Sequence, residues 1–206
     1  MKRCLRLLSV TLIITLAAAA PAGAEEASAP RALVSETVDA VVATLSDPAL
    51  SPELRAERVK SLIAERLDSQ GIARRVLATH WHGATLAERR RFERRFIALV
   101  VENYWRKIRD YSDETVDVVG ASLLGKRLAS VETLIRTSPG DIPVDYKLNL
   151  TPSGEWRVYD VVVERVSLVR NYRTSFQQMV QREGLDHVIA ELERKLEEIK
   201  ASGAED

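Results

Sequence analysis

The sequence predicts an α+β domain, with a four-stranded antiparallel sheet packed against several helices. Three observations predict it. Apolar residues recur at helical spacing as far as about Asp110, and from Thr115 the period becomes two. Finally, an apolar, β-branched run from Val158 to Val163 passes at Ser167 into a second helical pattern. Helices, then consecutive strands, then helices give segregated layers.

Each element is justified in turn. Residues 1–24 read as a secretory signal, with a basic start at Lys2, Arg3 and Arg6 and an apolar stretch from Leu7 to Ala20. Ala22, Gly23 and Ala24 then supply an A-x-A cleavage site, so Glu25 is expected to begin the mature chain. That stretch is too short and wrongly flanked for a transmembrane anchor. Glu25 to Pro30 is a polar tether. Leu33, Val34, Val38, Val41, Val42 and Leu45 mark one face of a first helix, broken at Ser46, Asp47 and Pro48. Ser51 caps a second helix with Pro52 in its first position and Glu53 in its first turn. Gly71 is expected to interrupt the pattern before a third segment, Ile72 to His82.

Thr85 and Glu88 have capping-box spacing and open a long helix whose inward face carries Phe92, Phe96, Leu99, Val100 and Tyr104. Strands are expected over Asp117 to Ala121, Arg127 to Thr137, Pro143 to Thr151 and Val158 to Val163. Val144, Tyr146, Leu148 and Leu150 alternate strictly with polar residues. Turns rich in Pro, Gly and Asp join consecutive strands, so these pair antiparallel. Helices over about 167–182 and 185–200 complete the chain, Ser167 capping the first and Gly184 ending it. The expected layout is thus a helical part over about 31–110, a sheet over about 115–165 and C-terminal helices over about 167–200.

Composition narrows the function. With 30 basic and 30 acidic residues, the chain loses three basic ones with the signal and becomes mildly acidic. Nothing in that balance points to nucleic acid. The single cysteine, Cys4, lies inside the signal, so the mature chain forms no disulfide and carries no thiol nucleophile. Aromatic residues make up only 5%, which predicts an aliphatic interior.

Catalytic patterns are missing where they would be visible. Gly120, Ser122 and Gly125 miss the nucleophile-elbow spacing by one residue and read as strand and turn. His80 and His82, two apart on a helix, do not share a face and cannot close on one ion. No metal or cofactor site is expected, and no enzymatic activity. Arg89, Arg90, Arg91, Arg94 and Arg95 form a basic face with two readings. It is either solvated and paired with Glu88 and Glu93, or it docks on anionic headgroups or an acidic partner through Arg90, Arg91 and Arg94.

The segment from Val158 to Glu164, followed by Val166, Ser167, Leu168, Asn171, Tyr172, Arg173, Phe176 and Gly184, resembles the C-terminal signature of a known family. That family is the periplasmic phospholipid-binding proteins of the Mla pathway, also called the toluene-tolerance Ttg2 family. A second block, Trp81, Ala84, Thr85, Glu88, Arg89, Phe92 and Phe96, is similar to its aromatic–turn–capped-helix pattern. Tyr111 and the strand start Pro143 to Tyr146 match as well. Arg165 and His187 stand where the family usually has glycine.

The resemblance implies a curved sheet in a cone similar to nuclear transport factor 2 with added helices. It further implies a soluble periplasmic carrier that shuttles phospholipid between the outer membrane and an inner-membrane ABC transporter, maintaining outer-membrane lipid asymmetry. Partners would be the transporter's substrate-capture subunit and an outer-membrane lipoprotein–porin complex. The lipid-lining residues so implied are Trp81, Phe96, Val100, Tyr104, Tyr146, Val161, Val163, Val166, Leu168, Tyr172 and Phe176. Of these, Leu168, Tyr172 and Phe176 lie four apart on one helix face directly after the last strand. Three alternatives stay open. They are a carrier of hopanoid or other polycyclic lipid, an enzyme built around Asp160 and Tyr159, and a structural adaptor with a filled core.

Overall fold

The computed structural model describes residues 27–109 and 114–202. The signal, its cleavage site and Tyr111 lie outside the described residues. Seven helices are described: α1 (Ser28–Leu45), α2 (Pro52–Arg66), α3 (Ser69–Leu77), α4 (His80–Gly83), α5 (Leu86–Ile108), α6 (Leu168–Glu183) and α7 (Leu185–Ser202). Between α5 and α6 run β1 (Thr115–Leu123), β2 (Leu128–Arg136), β3 (Ile142–Leu150), β4 (Trp156–Val163) and β5 (Val166–Ser167). The four expected strands are thus joined by a fifth of two residues.

Local chemistry sets the helix starts. Ser51 Oγ accepts from the Leu54 amide at 3.3 Å, with Pro52 in the first position of α2. Thr85 Oγ1 accepts from the Glu88 amide at 3.2 Å while the Glu88 carboxylate accepts from the Thr85 amide at 2.7 Å. Each thereby satisfies an amide the helix leaves open. Gly71 behaves differently from expectation, lying inside α3 instead of interrupting it. Asp68 caps that helix by accepting from the Gly71 amide at 2.9 Å, and a Cβ at Gly71 would meet the Asp68 carboxylate at 1.9 Å. The interruption comes instead at Ala78, whose φ of 49° stops α3 before the single turn of α4.

The sheet is an antiparallel meander in the order β1-β2-β3-β4-β5. Register places Ala121, Val131, Tyr146 and Val161 in one row across four strands, and Leu123, Ala129, Leu148 and Val158 in the next. Both rows lie on one apolar face. Register shifts near Val119 in β1 and Tyr159 in β4 bulge those strands, and bulges bend a sheet.

The apolar interior divides in two. α1 lays Val34, with Leu33 and Val38 beside it, on the sheet face formed by Ala129, Val131, Leu148 and Val158. Val42, assigned to the same face, is 44% exposed. A second cluster gathers Val76, Phe92, Phe96, Phe176, Val188 and Leu192 among α3, α5, α6 and α7. Leu67 packs against both, and its bridge to Val158 ties the helical layer to β4.

Candidate functional site

α6 is positioned by β4. Asp160 accepts from Ser167 Oγ at 2.6 Å and from the Val169 amide at 3.0 Å, while Ser167 Oγ accepts from the Arg170 amide at 3.0 Å. A carboxylate and a hydroxyl thus fix the first turn of α6 against the end of β4. This uses Asp160 as a cap with backbone and serine partners. Arg173 Nε, one turn further along α6, donates to the Arg75 carbonyl at 2.7 Å. The Arg75 guanidinium in turn lies 4.1 Å from the Tyr159 ring centroid. Both members of the Asp160–Tyr159 pair are therefore engaged in holding elements together.

From that anchored start, α6 directs Tyr172 and Phe176 toward α5, while Leu168 packs at the edge of the helical cluster. Tyr172 meets the Phe96 ring edge-on at 4.9 Å, and Phe176 meets Phe92 at 5.9 Å and Phe96 at 5.7 Å. Each such pair adds about 0.5–1.5 kcal/mol beyond area burial. Of the residues singled out from sequence, Trp81, Phe96, Val100 and Phe176 belong to the buried helical cluster. Tyr104, Leu168 and Tyr172 stand half-buried on its margin. Tyr146 and Val161 occupy the margin of the sheet cluster, and Val163 is half-buried opposite Val144. Val166 is apart from them, 61% exposed in β5.

Tyr104 stands on the margin of the helical cluster. Burial, first, and then the neighbouring Tyr172, Tyr146 and Asp160 push its hydroxyl well above the usual tyrosine value. Groups on α6, β3 and β4 thus lie within electrostatic reach of one phenol of α5. The boundary between the two clusters, or seam, carries the half-buried Val161, Leu168 and three tyrosines, an amphipathic set. Beside it, Tyr172 and Phe176 floor a groove of about 240 Å³ between α5 and α7, where Asn103 Nδ2 donates to the Tyr172 hydroxyl at 3.4 Å. Met179, on the same apolar face of α6, lines this groove with Asn103, which was not expected from sequence. No periodic signal marks a polar side chain at the edge of an apolar stripe.

The basic face of α5 is less uniform than its sequence. Arg91 Nη2 and Arg95 Nε bind Glu193 of α7 at 2.8 and 3.0 Å, so their partner is neither Glu88 nor Glu93. Glu88 is occupied by the capping box. Arg90 and Arg94 instead line a second cleft, of about 390 Å³, with Arg74 of α3 and Arg89.

Elsewhere, Ser122 is an exposed strand residue opposite Ser130, far from the turn geometry of a nucleophile elbow. Among the described residues no group of three or more His, Cys, Asp or Glu side chains could hold a metal ion. No described helix is long and apolar enough to cross a membrane.

Comparison with known proteins is consistent in direction. Residues 35–194 match the family described as MlaC protein. A toluene tolerance protein, ttg2D, of Pseudomonas putida is 24% identical over 138 residues, covering 66% of this chain and 64% of that one. The intermembrane phospholipid transport system binding protein MlaC of Haemophilus influenzae is 22% identical over 124 residues, 58% of each chain. The chain thus spans about three fifths of the length of these curated relatives. A solved phospholipid-binding protein from Ralstonia solanacearum, in complex with a phospholipid, superposes with a TM-score of 0.73 at 21% identity. The match covers 82% of this chain and 98% of that one. It has the same fold.

Proposed function

The chain belongs to the MlaC family, and from that premise we propose that it binds phospholipid and carries it as a soluble protein through the periplasm. The cargo moves between the outer membrane and an inner-membrane ABC transporter, in support of outer-membrane lipid asymmetry. Its partners are the transporter's substrate-capture subunit and an outer-membrane lipoprotein–porin complex, and it catalyses no reaction. Cleavage after Ala24 delivers it to the periplasm.

The observation that carries this reading is the division of the interior into two apolar clusters with a half-buried, tyrosine-tipped seam between them. Acyl chains moving through water cost about 0.8 kcal/mol per exposed methylene. A seam that opens between two preformed apolar layers removes that cost and needs no catalytic group. Tyr104, Tyr146 and Tyr172 supply hydroxyls where the acyl region gives way to the glycerol esters. Val161 and Leu168 supply the walls. Arg165 and the exposed Val166 stand at the adjoining hairpin, where they shape the rim.

Transfer of a fluorescent phospholipid from donor to acceptor vesicles tests the proposal. The purified chain is expected to speed transfer in proportion to its concentration, and Leu168→Asp to abolish the effect while leaving the helical circular dichroism intact. Transfer unaffected by the chain, or equal for Leu168→Asp, contradicts it. Extraction with organic solvent and identification of the lipid separates phospholipid from a polycyclic cargo.

A further inference from the structure

We propose that the cationic cleft between α3 and the first turns of α5 is a docking site for an acidic, carboxylate-bearing segment of a partner protein. The cleft brings together Arg74, Arg89, Arg90 and Arg94 around Trp81, with Leu86 at its rim. Arg74, Arg90 and Arg94 are exposed, and no ion pair neutralises them among the described residues, in contrast to Arg91 and Arg95 on the same helix. Arg89 is held in place, its guanidinium 5.2 Å from the Trp81 ring centroid and donating to the His82 carbonyl at 3.2 Å. Its Nε is buried without a hydrogen-bond partner.

The acid that lines the cleft, Glu93, is half-buried. Desolvation, first, and then Asp68 push its carboxyl toward the neutral form against the pull of Arg94 and Arg90. Four arginines against that one carboxyl leave the cleft positive, and low-dielectric walls focus such a field.

Shape and chemistry select the occupant. A bilayer surface is flat and cannot follow arginines into a concavity, whereas an extended or helical segment can. Guanidinium forks grip carboxylates bidentately, a match that lysines would not provide. Leu86, 61% exposed beside the Trp81 floor, offers apolar contact to a side chain between the acids. Arg90 and Tyr104 are fourteen residues apart on one helix, about 20 Å at helical rise. A partner seated here leaves the seam free, so docking and lipid exchange proceed at separate places. The inference rests on the carrier reading only in that a carrier must meet a partner.

The test uses the mature chain and a fluorescein-labelled peptide of alternating Glu and Leu, followed by anisotropy. Arg90→Glu with Arg94→Glu is compared with Arg106→Glu with Lys107→Glu, the same charge change at the other end of α5. The first pair is expected to weaken binding about tenfold or more, most at low salt, and the second to leave it unchanged. Arg74→Glu, on a different helix, is expected to give the same direction of change, and it decides the matter if the double variant fails to fold. Equal affinities for the two double variants would overturn the proposal, as would absence of peptide binding by the wild type. So would binding to phosphatidylglycerol vesicles that depends on Arg90 and Arg94 when the peptide does not bind, an outcome that assigns the cleft to membranes. Lipid content measured on the same samples keeps the two readings apart. A chain that carries no lipid but binds the peptide through these arginines sinks the carrier and keeps the cleft.

Discussion

Glu164 and Arg165 form the two-residue loop between β4 and β5, and both have left-handed φ values, 49° and 68°. Such a short hairpin loop requires that conformation, which glycine adopts freely and a side chain adopts at a cost. The family's usual glycine at the position of Arg165 therefore has a physical reason. Arg165→Gly is expected to raise stability by about 0.5–1 kcal/mol, relief of backbone strain outweighing the added freedom of the unfolded chain. A thermal melt showing a lower midpoint would contradict this. Glu88 gives a second expectation. The Thr85 hydroxyl and then the Thr85 amide hold its carboxyl below the ordinary 4.5, so its contribution is fully present above that pH and is lost as pH falls through the folded value. Glu88→Gln removes the titration, so the gap between the wild-type and variant midpoints should narrow as pH drops below about 4.5. A gap that stays constant from pH 7 to pH 3 would show that the carboxylate charge plays no part.

Elements differ in how much of them local sequence could reveal. The capping box of α5, the Ser167 cap of α6 and the strict alternation of β3 are contacts between residues a few positions apart, so the sequence displays them directly. α7 is different. Its helical period is visible, but its docking depends on Arg91 and Glu193, 102 positions apart, and on burial of Val188, Ile189 and Leu192 against α5. Neither the bridge from Leu67 to Val158 nor the Asp68 cap that draws Gly71 into α3 has a periodic signature. The site shows the same split. Tyr172 and Phe176 were legible as an apolar face, but that face packs on Phe92 and Phe96 from another part of the chain. Asn103 and Arg74 became visible only once α5 had neighbours. The packing also ranks the contacts of α7. Leu192→Ala, at 2% exposure, is expected to cost about 2–4 kcal/mol through lost burial and the cavity left behind. Glu193→Gln should shift the midpoint far less, because both ion pairs are solvent-exposed. Urea denaturation of the two variants checks the order, and a larger loss for Glu193→Gln would reverse it.

For the whole molecule, the governing feature is that two apolar clusters are joined at few points instead of fused into one core. Leu67, Tyr159 and the capped start of α6 connect them, and each layer carries half-buried residues at its margin. A structural adaptor would gain nothing from that division, while a lipid carrier needs two layers that can part around acyl chains and close again. The most direct measurement is native mass spectrometry of the mature chain purified from cells without detergent. A mass excess of one phospholipid per chain is expected, present in the wild type and missing from Leu168→Asp. A wild-type chain of bare polypeptide mass, or one whose excess survives unchanged in Leu168→Asp, would contradict a phospholipid held at the seam.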